Sequence, residues 1–434
     1  MRAFEGHDIV CVSVMDWDHP FQSSRHHLMR QLAQKNRVLF VDNQFNPVTV
    51  LKRLGEAPMR QKLATWAKAA PNPWQAEGNL WVFNPPPVVP MGKLSDRQVF
   101  EAVYAYNQGR LRESVRKASN RLGFKNPILW ISFNVLSSES LIGALDERMV
   151  VYHCTDEITA MAGMSPFAGE IEQRLLSRAD VTFTSSRQLL ADKGPLARRC
   201  HFVPNGADTE LFELALADDT AVHPSLQGLS GPIVGFAGHM EERFDFDLVD
   251  ALAAAHPEWN LVLAGPVAES RRSAADQLAQ RPNVRFVGLL ERSALPGFLK
   301  GVDVALIPFV RSAQTRAIYP LKLNEYLAAG KPVVLTPFAD LREFEGLVEV
   351  APDADAFGRA IESVLATDSA ERRDRRVAAA RANNWAGRAA QMESLLLETL
   401  AASLFGADRL RRRRWLGAHR RQCGNGSPVL RVEY

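Results

Sequence analysis

Short apolar runs alternate along this chain with longer stretches in which apolar residues return every third or fourth position. That alternation predicts strands joined by helices. Asp8–Met15 reads as a strand, Ser23–Lys35 as a helix with Ser23 or Ser24 as its N-cap, and Arg37–Val41 as a second strand ending in Asp42. The stretch Asn43–Asn79 breaks the rhythm; Leu80–Phe83 resumes it, and Pro85-Pro86-Pro87 stops it again. A long helix is expected over Ser95–Leu122, strands over Ile128–Ser132 and Met149–His153, and a helix over Phe167–Arg178. The strand Val181–Thr184, a helix opening at Ser185-Ser186 and a short strand His201–Val203 lead to the turn Pro204-Asn205-Gly206.

Asp218–Gly231 is polar and rich in turn formers, and reads as an interdomain linker. Beyond it the rhythm restarts, with strands at Ile233–Ala237, Asn260–Ala264, Val284–Val287, Val304–Ile307, Val333–Leu335 and Val348–Val350. Helices fit between them at Asp247–Ala255, Glu269–Gln280, Ser293–Lys300 and Leu321–Ala329, and helical patterns cover Ala354–Leu365 and Ala370–Leu400. Parallel strands need crossover connections of this size, so two consecutive series of βα units predict an α/β chain with two doubly wound, Rossmann-like parallel sheets. The expected division is an acceptor domain over 1–217, the linker over 218–231 and a second Rossmann-like domain over 232–385. A helix over 386–404 is expected to pack back on the first domain, ahead of a basic tail over 405–434. Ligands bind outside the carboxyl ends of such strands, so two facing domains would enclose a cleft.

The stretch Arg316–Pro337 carries the densest local signals. Pro320 suits a first helical position, Gly330 suits the left-handed position after a helix end, and Pro332 blocks continuation into the run Val333-Val334-Leu335. Lys322 and Glu325 stand three apart and so share one face of the intervening helix, near its N-terminus. A cation, a carboxylate and free backbone N–H groups at a helix start form a plausible nucleotide diphosphate site. The alternative is a surface salt bridge.

Composition changes this picture little. At 434 residues, with 46% hydrophobic and 23% charged residues, the chain is a soluble protein too long for one ordinary core. Its four cysteines, Cys11, Cys154, Cys200 and Cys423, are scattered without metal spacing, which fits a reducing cytoplasm. The apolar run Ile9–Met15 is too short to cross a membrane and lacks the flanks of a signal peptide. Charge is unevenly placed: the segment 405–434 holds eight Arg against Asp408 and Glu433, a local +6 that leaves −3 for the rest of a chain whose net charge is +3. The folded part therefore makes no electrostatic case for nucleic acid.

Read in order, several short motifs resemble the GT-B glycosyltransferases, in particular family-4-like enzymes of cell-envelope and exopolysaccharide synthesis. They are Ala179-Asp180-Val181 leading into Thr184-Ser185-Ser186, then Val203-Pro204-Asn205-Gly206-Ala207-Asp208, Gly235–Gly238, Leu263-Ala264-Gly265-Pro266, Asn283–Gly288 and Tyr319–Val334. The resemblance runs to about residue 400 and implies a nucleotide-sugar donor, expected to be UDP-linked, held by the C-terminal domain. On that match Glu325 bonds the ribose hydroxyls and Lys322 meets the diphosphate, with Gly238, Arg243, Arg316 and Tyr319 as further donor-site candidates. Ser185 and Asn205 recur in the family at cleft or hinge. No D-x-D stands at a credible place, so neither a metal nor a cofactor is expected; the nucleotide sugar is a substrate. Retaining members often carry two glutamates with seven residues between them; here the first of these positions is Ala317.

On the acceptor side, Val151-Tyr152-His153-Cys154-Thr155-Asp156-Glu157 follows a strand and resembles the Y-x-x-x-D segment of inverting xanthan-type glucuronosyltransferases, whose aspartate is the base. Asp156 is the candidate base, His153 its runner-up, and the alternative for Asp156 is a cap on the following segment. Arg25 and His26 open the first helix and are candidates for an acceptor phosphate or carboxylate, or else lie on a solvated helix face. Basic residues with Trp66 and Trp74 in Asn43–Asn79, and Arg411–Trp415 in the tail, suit an anionic membrane surface. The expectation is a metal-independent, inverting hexosyltransferase, cytoplasmic and peripheral at the inner face of the membrane, moving a sugar onto a saccharide or polyprenyl-linked acceptor. The alternatives are a catalytically idle saccharide-binding or scaffold subunit and a nucleotide-sugar epimerase on the same fold.

Overall fold

The computed structural model describes residues 3–402 apart from 20–21, 56–58, 61–62, 65–71, 93 and 162. The expectations placed on Lys62, Trp66, Lys68 and the 405–434 tail lie outside the described residues. The chain forms two sheets. The first holds β1 (Asp8–Ser13), β2 (Arg37–Val41), β3 (Trp74–Glu77), β4 (Leu80–Phe83), β5 (Ile128–Ser132), β6 (Met149–Cys154), β7 (Val181–Thr184) and β8 (Cys200–Phe202), in the order β3-β4-β2-β1-β5-β6-β7-β8. The second holds β9 (Ile233–Ala237), β10 (Asn260–Ala264), β11 (Val284–Gly288), β12 (Val304–Ile307), β13 (Val333–Leu335) and β14 (Glu349–Val350), in the order β11-β10-β9-β12-β13-β14. Among the described residues every strand pair is parallel except β3 with β4, an antiparallel pair whose edge strand β3 lies inside the stretch read as irregular. The residues of β3 alternate between half-buried and exposed, Trp74 and Ala76 packing inward, which is what an edge strand with one covered face requires.

Parallel strands buried on both faces read as continuous apolar runs, and β1, β5 and β12 are buried throughout. The first sheet has a core on each face. One gathers Val10, Leu39, Leu129 and Tyr152 under the long helix Arg97–Arg121; the other gathers Ile9, Phe40, Trp130 and Phe183 under helix Ser24–Ala33. The second sheet is enclosed in one continuous cluster, including Phe236, Leu263, Leu306 and Val334.

The chain leaves the first domain earlier than expected. Phe212 and Ala215 are buried in the core of the second domain, so helix Thr209–Glu213 belongs there, and the crossing lies at 204–208 rather than 218–231. The polar stretch after it runs along the second domain, with Leu226 buried in its core. A second crossing follows helix Ala370–Ala382, which stops at Asn383, so the helical pattern read over Ala370–Leu400 is interrupted there. The helical residues 385–402 then return to the first domain, placing Trp385, Ala389, Met392 and Leu396 in its core. The two crossings touch backbone to backbone: Ala207 N–H donates to Asn383 O at 3.0 Å, and a Cβ on Gly206 would lie 2.9 Å from Asn383 O. Only glycine fits there.

Candidate active site in the interdomain cleft

In both sheets the strand order reverses at the centre, between β1 and β5 and between β9 and β12. Crevices open outside the carboxyl ends of strands at such points. The loops after β5 and β6 and the first turn after β1 face those after β9 and β12, and the predicted site residues divide between these two walls.

On the second wall, helix Leu321–Ala328 starts from Pro320, which is its N-cap (φ −75°, ψ 120°) rather than its first helical residue. The helix has no side-chain cap and no acid in its first turn, so its opening N–H groups are left for a ligand. Its other end is closed by a complete left-handed turn: Gly330 takes φ +71°, its N–H donates to Leu327 O at 2.9 Å, and Lys331 N–H donates to Tyr326 O at 2.9 Å. Arg376 then donates to Gly330 O through Nε at 3.0 Å and Nη2 at 2.8 Å. The helix is thus held rigidly from behind.

Lys322 and Glu325 form no close ion pair with each other among the described contacts, although each feels the other's charge. Burial pushes the Lys322 ammonium below its ordinary pKa and the Glu325 carboxyl above its own; each partly compensates the other. The Lys322 side chain runs over Gly238, with Nζ 5.8 Å from the Phe236 ring centroid, and any Cβ on Gly238 would collide with Lys322 Cε and Nζ. Gly238 is therefore a gap that the lysine fills. Arg243, on the loop after β9, pairs with Glu241 at 2.5 Å, lies 5.5 Å from the Phe309 ring centroid, and leaves its buried Nε without a partner. Near Glu325 stand Arg292 and Asp208, themselves paired at 2.8 Å.

On the first wall, Asp156 Oδ2 accepts from Thr155 Oγ1 at 3.1 Å. The next helical turn, Ile158–Ala160, is capped by Glu157, whose Oε1 accepts from Thr159 N–H at 3.0 Å, so the capping role falls to Glu157 and not to Asp156. Burial pushes the Asp156 carboxyl up, against the pull of Arg243 across the cleft and Arg25 on its own wall. Arg25 is 5% exposed; Nε reaches Ser132 Oγ at 3.3 Å and Nη2 reaches Thr155 Oγ1 at 3.5 Å, long bonds for a group with five donors.

The other candidates are engaged in different contacts. His26 is fully buried: Nδ1 accepts from Ser23 N–H at 3.1 Å and Nε2–H donates to Asp16 O at 2.9 Å, which fixes the neutral tautomer and brings its pKa down to about 4. It closes the start of the first helix and has no ring nitrogen left for an acceptor. His153 is buried edge-on to Trp130, and burial with the nearby Arg25 brings its pKa to about 3, too low for a proton acceptor at neutral pH; its Nδ1 is unpartnered. Tyr319 packs on Phe344, its carbonyl accepting from Asn205 Nδ2 at 2.9 Å and its hydroxyl lying with Asn324 and Arg388, so it ties the first crossing to helix Leu321–Ala328. Arg316 is exposed and lines a groove of about 580 Å³ with Arg311, Phe338 and Gln188, set apart from the residues around Lys322. Ala317 is 1% exposed and packs into the first domain's core cluster, so the position of the absent glutamate is an apolar contact across the cleft. Ser185 Oγ donates to Thr155 O at 3.0 Å and supports the loop that bears Asp156.

One supporting group had no sequence signal. Lys193 is buried between Glu157 and Glu172, 2.7 Å from each, and Glu172 also accepts from the Tyr152 hydroxyl at 2.6 Å. Burial opposes the charge on Lys193, but the two carboxylates outweigh it and hold its pKa above the ordinary value. The cluster pins the residue next to Asp156. Removing its only cation in Lys193→Met is expected to cost about 3–5 kcal/mol, because Glu172 would be left buried without a counter-charge. Urea unfolding monitored by circular dichroism measures this, and a loss under about 1 kcal/mol would show that the cluster does not depend on the lysine.

Residues 231–367, the second domain, match the family described as Glycosyl transferases group 1. A Bacillus subtilis (strain 168) protein named as a teichuronic acid biosynthesis glycosyltransferase, TuaH, is 33% identical over 222 residues, 48% of this chain and 55% of that one. The match thus spans about half the length of that relative. Among solved structures, sucrose-phosphate synthase from Thermosynechococcus elongatus superposes with a TM-score of 0.68 at 17% identity, covering 91% of this chain and 100% of that one. The UDP-forming trehalose-phosphate synthase from Burkholderia xenovorans gives 0.65 at 14% identity, covering 91% and 99%. Anabaena HepE, solved with UDP and glucose, gives 0.58 at 14% identity, covering 89% and 98%. The second domain of this chain is thus similar to the group 1 glycosyl transferases, and the two sheets of the chain together have the GT-B fold.

Proposed function

We propose that this protein is a metal-independent, inverting glycosyltransferase that moves a hexose from a UDP-linked donor to a saccharide or lipid-linked acceptor in envelope polysaccharide synthesis. The observation that carries the reading is the meeting of Asp156 with Lys322 and Glu325 across one cleft, with Arg243 and Glu241 close enough to perturb both Asp156 and Lys322. The nucleotide and pathway are inferred from similar proteins: HepE was solved with UDP, the trehalose-phosphate synthase is UDP-forming, and the Bacillus relative is named for teichuronic acid biosynthesis.

In this reading the Glu325 carboxylate accepts from the ribose hydroxyls, while Lys322, Arg243 and the uncapped N–H groups of helix Leu321–Ala328 hold the diphosphate. Asp156 takes the proton of the acceptor hydroxyl as its oxygen attacks the anomeric carbon. The bond from that carbon to the diphosphate oxygen breaks, and the nucleoside diphosphate leaves with the electron pair. The cations are aimed where that negative charge develops, so they act most strongly in the transition state. Arg25 faces an anionic group of the acceptor. Its charge and that of Arg243 favour ionised Asp156 against the cost of burial.

A thermal-shift screen of the wild-type chain against UDP, GDP, ADP and their sugars tests the donor half. UDP and a UDP-sugar should raise the melting temperature. No stabilisation by any nucleotide would remove the transferase reading.

A further inference from the structure

The groove that contains Arg316 joins the two domains. Gln188, on helix Arg187–Lys193, lines it from the first domain, and Arg311, Arg316, Pro337 and Phe338 line it from the second. Its volume of about 580 Å³ falls within the range of roughly 300–1,000 Å³ usual for small-ligand clefts. The ion pair of Arg187 with Glu343, at 2.6 Å, clasps the two domains at this place.

The charge of the groove is one-sided. Arg311 and Arg316 are both exposed, and among the described residues neither guanidinium has an ion pair or a hydrogen bond. The acids nearby are already taken: Asp340, which lines the groove, accepts from Arg342 Nε at 3.0 Å, and Glu343 is held by Arg187. Two cations are therefore left over, each with five donors in the planar fork that fits a carboxylate or a phosphate. Pro337 and Phe338, the latter packed on Phe309 with ring centroids 5.1 Å apart, add apolar surface of the kind that covers one face of a sugar ring.

Position connects the groove to the acceptor side of the cleft. Helix Arg187–Lys193 follows β7, which neighbours the β6 strand that leads to Asp156, about 4.8 Å away in the sheet. On the other wall Val310 N–H donates to Arg243 O at 2.8 Å, so Arg311 stands next to the residue paired with the loop whose charge reaches Asp156. Lys322 and Glu325 are not among the lining residues. We infer that the Arg311–Arg316 groove is an acceptor subsite for an acidic saccharide, one bearing carboxylate or phosphate groups, whose reacting end lies at Asp156. The acceptor role rests on the proposed transfer; the binding of an acidic saccharide does not.

Isothermal titration of the full chain with three probes tests this without turnover: a galacturonic acid trimer, its methyl ester and a phosphorylated mannose oligomer. Wild type should bind an anionic probe and not the ester, and high salt should weaken binding. Tighter binding of the trimer would assign the groove to uronic acids, and tighter binding of the phosphorylated oligomer to a phosphate-bearing chain. The double variant Arg311→Gln, Arg316→Gln should lose roughly 10- to 100-fold in affinity for that probe and keep its affinity for UDP. The variant Arg311→Lys, Arg316→Lys should recover only part of the loss, because an ammonium lacks the fork. Equal affinity of the glutamine variant and wild type would overturn the inference, as would binding of the ester as tightly as the acid, or no binding of either anionic probe. Displacement of the probe by UDP would return the arginines to the donor site and also overturn it. UDP binding without probe binding defeats this inference and spares the proposed transfer; probe binding without any nucleotide binding does the reverse.

Discussion

Asp156→Asn is expected to lower the rate of sugar transfer by roughly 10²–10⁴-fold while leaving UDP affinity unchanged. The asparagine keeps the shape and its contact with Thr155, but it cannot accept the acceptor's proton. Because Asp156 and the donor site are on different domains, a donor-binding isotherm separates loss of chemistry from loss of fold. The pH profile adds a second readout. Activity requires the ionised carboxylate, so the rate should fall as pH drops through the Asp156 pKa. Burial raises that pKa, with Arg243 and Arg25 opposing, so the acid limb should lie above the ordinary aspartate range. Arg25→Gln removes one opposing charge and should move the limb to still higher pH. Wild-type turnover by Asp156→Asn would take the base role away from it.

The second large effect concerns the donor helix. Glu325→Ala should weaken binding of both uridine and UDP by about 10- to 100-fold, the worth of one or two hydrogen bonds to a charged acceptor. Lys322→Ala should weaken UDP to a similar degree, about 10- to 100-fold, and leave uridine almost unchanged, because only the diphosphate meets the ammonium. Isothermal titration of the two variants with the two ligands gives four affinities. If Lys322→Ala weakened uridine as much as UDP, the assignment of lysine to diphosphate and glutamate to ribose would be wrong.

Most strands were legible because buried parallel strands read as apolar runs that side-chain composition alone reveals. The donor helix was legible for a local reason too: Pro320, Gly330 and Pro332 punctuate it. What the sequence concealed depends on tertiary packing. The polar stretch 218–231 looks like a linker, yet Phe212 and Ala215, which precede it, are already buried in the second domain. The antiparallel β3 is short and only half-covered, too weak a pattern to stand out from the irregular stretch around it.

Within the cleft, side-chain type alone does not say which way a residue turns. His26 and Arg25 are adjacent in sequence, yet Arg25 turns toward Thr155 and Ser132 while His26 turns back to Ser23 and Asp16. Nothing in their spacing distinguishes the two. Glu157 and Asp156 were equally able to cap the turn that follows, and the hydrogen bond to Thr159 decides for Glu157. The Lys193 cluster joins residues up to 36 positions apart, beyond any local motif. Asp208 could have been singled out from the Asn205-Gly206-Ala207-Asp208 motif; its partner Arg292 could not.

Ala317 bears most directly on mechanism. A glutamate there would have to leave the apolar cluster of the first domain that now surrounds the alanine methyl group. In the proposed reading Asp156 serves the acceptor, and an alanine rather than a carboxylate at position 317 favours one direct displacement at the anomeric carbon. The measurement that tests this is proton NMR of the sugar released or transferred from an α-linked UDP-sugar, recorded before mutarotation, with water as acceptor where no saccharide is supplied. The account predicts a β-configured product, lost in Asp156→Asn. An α-configured product would contradict it.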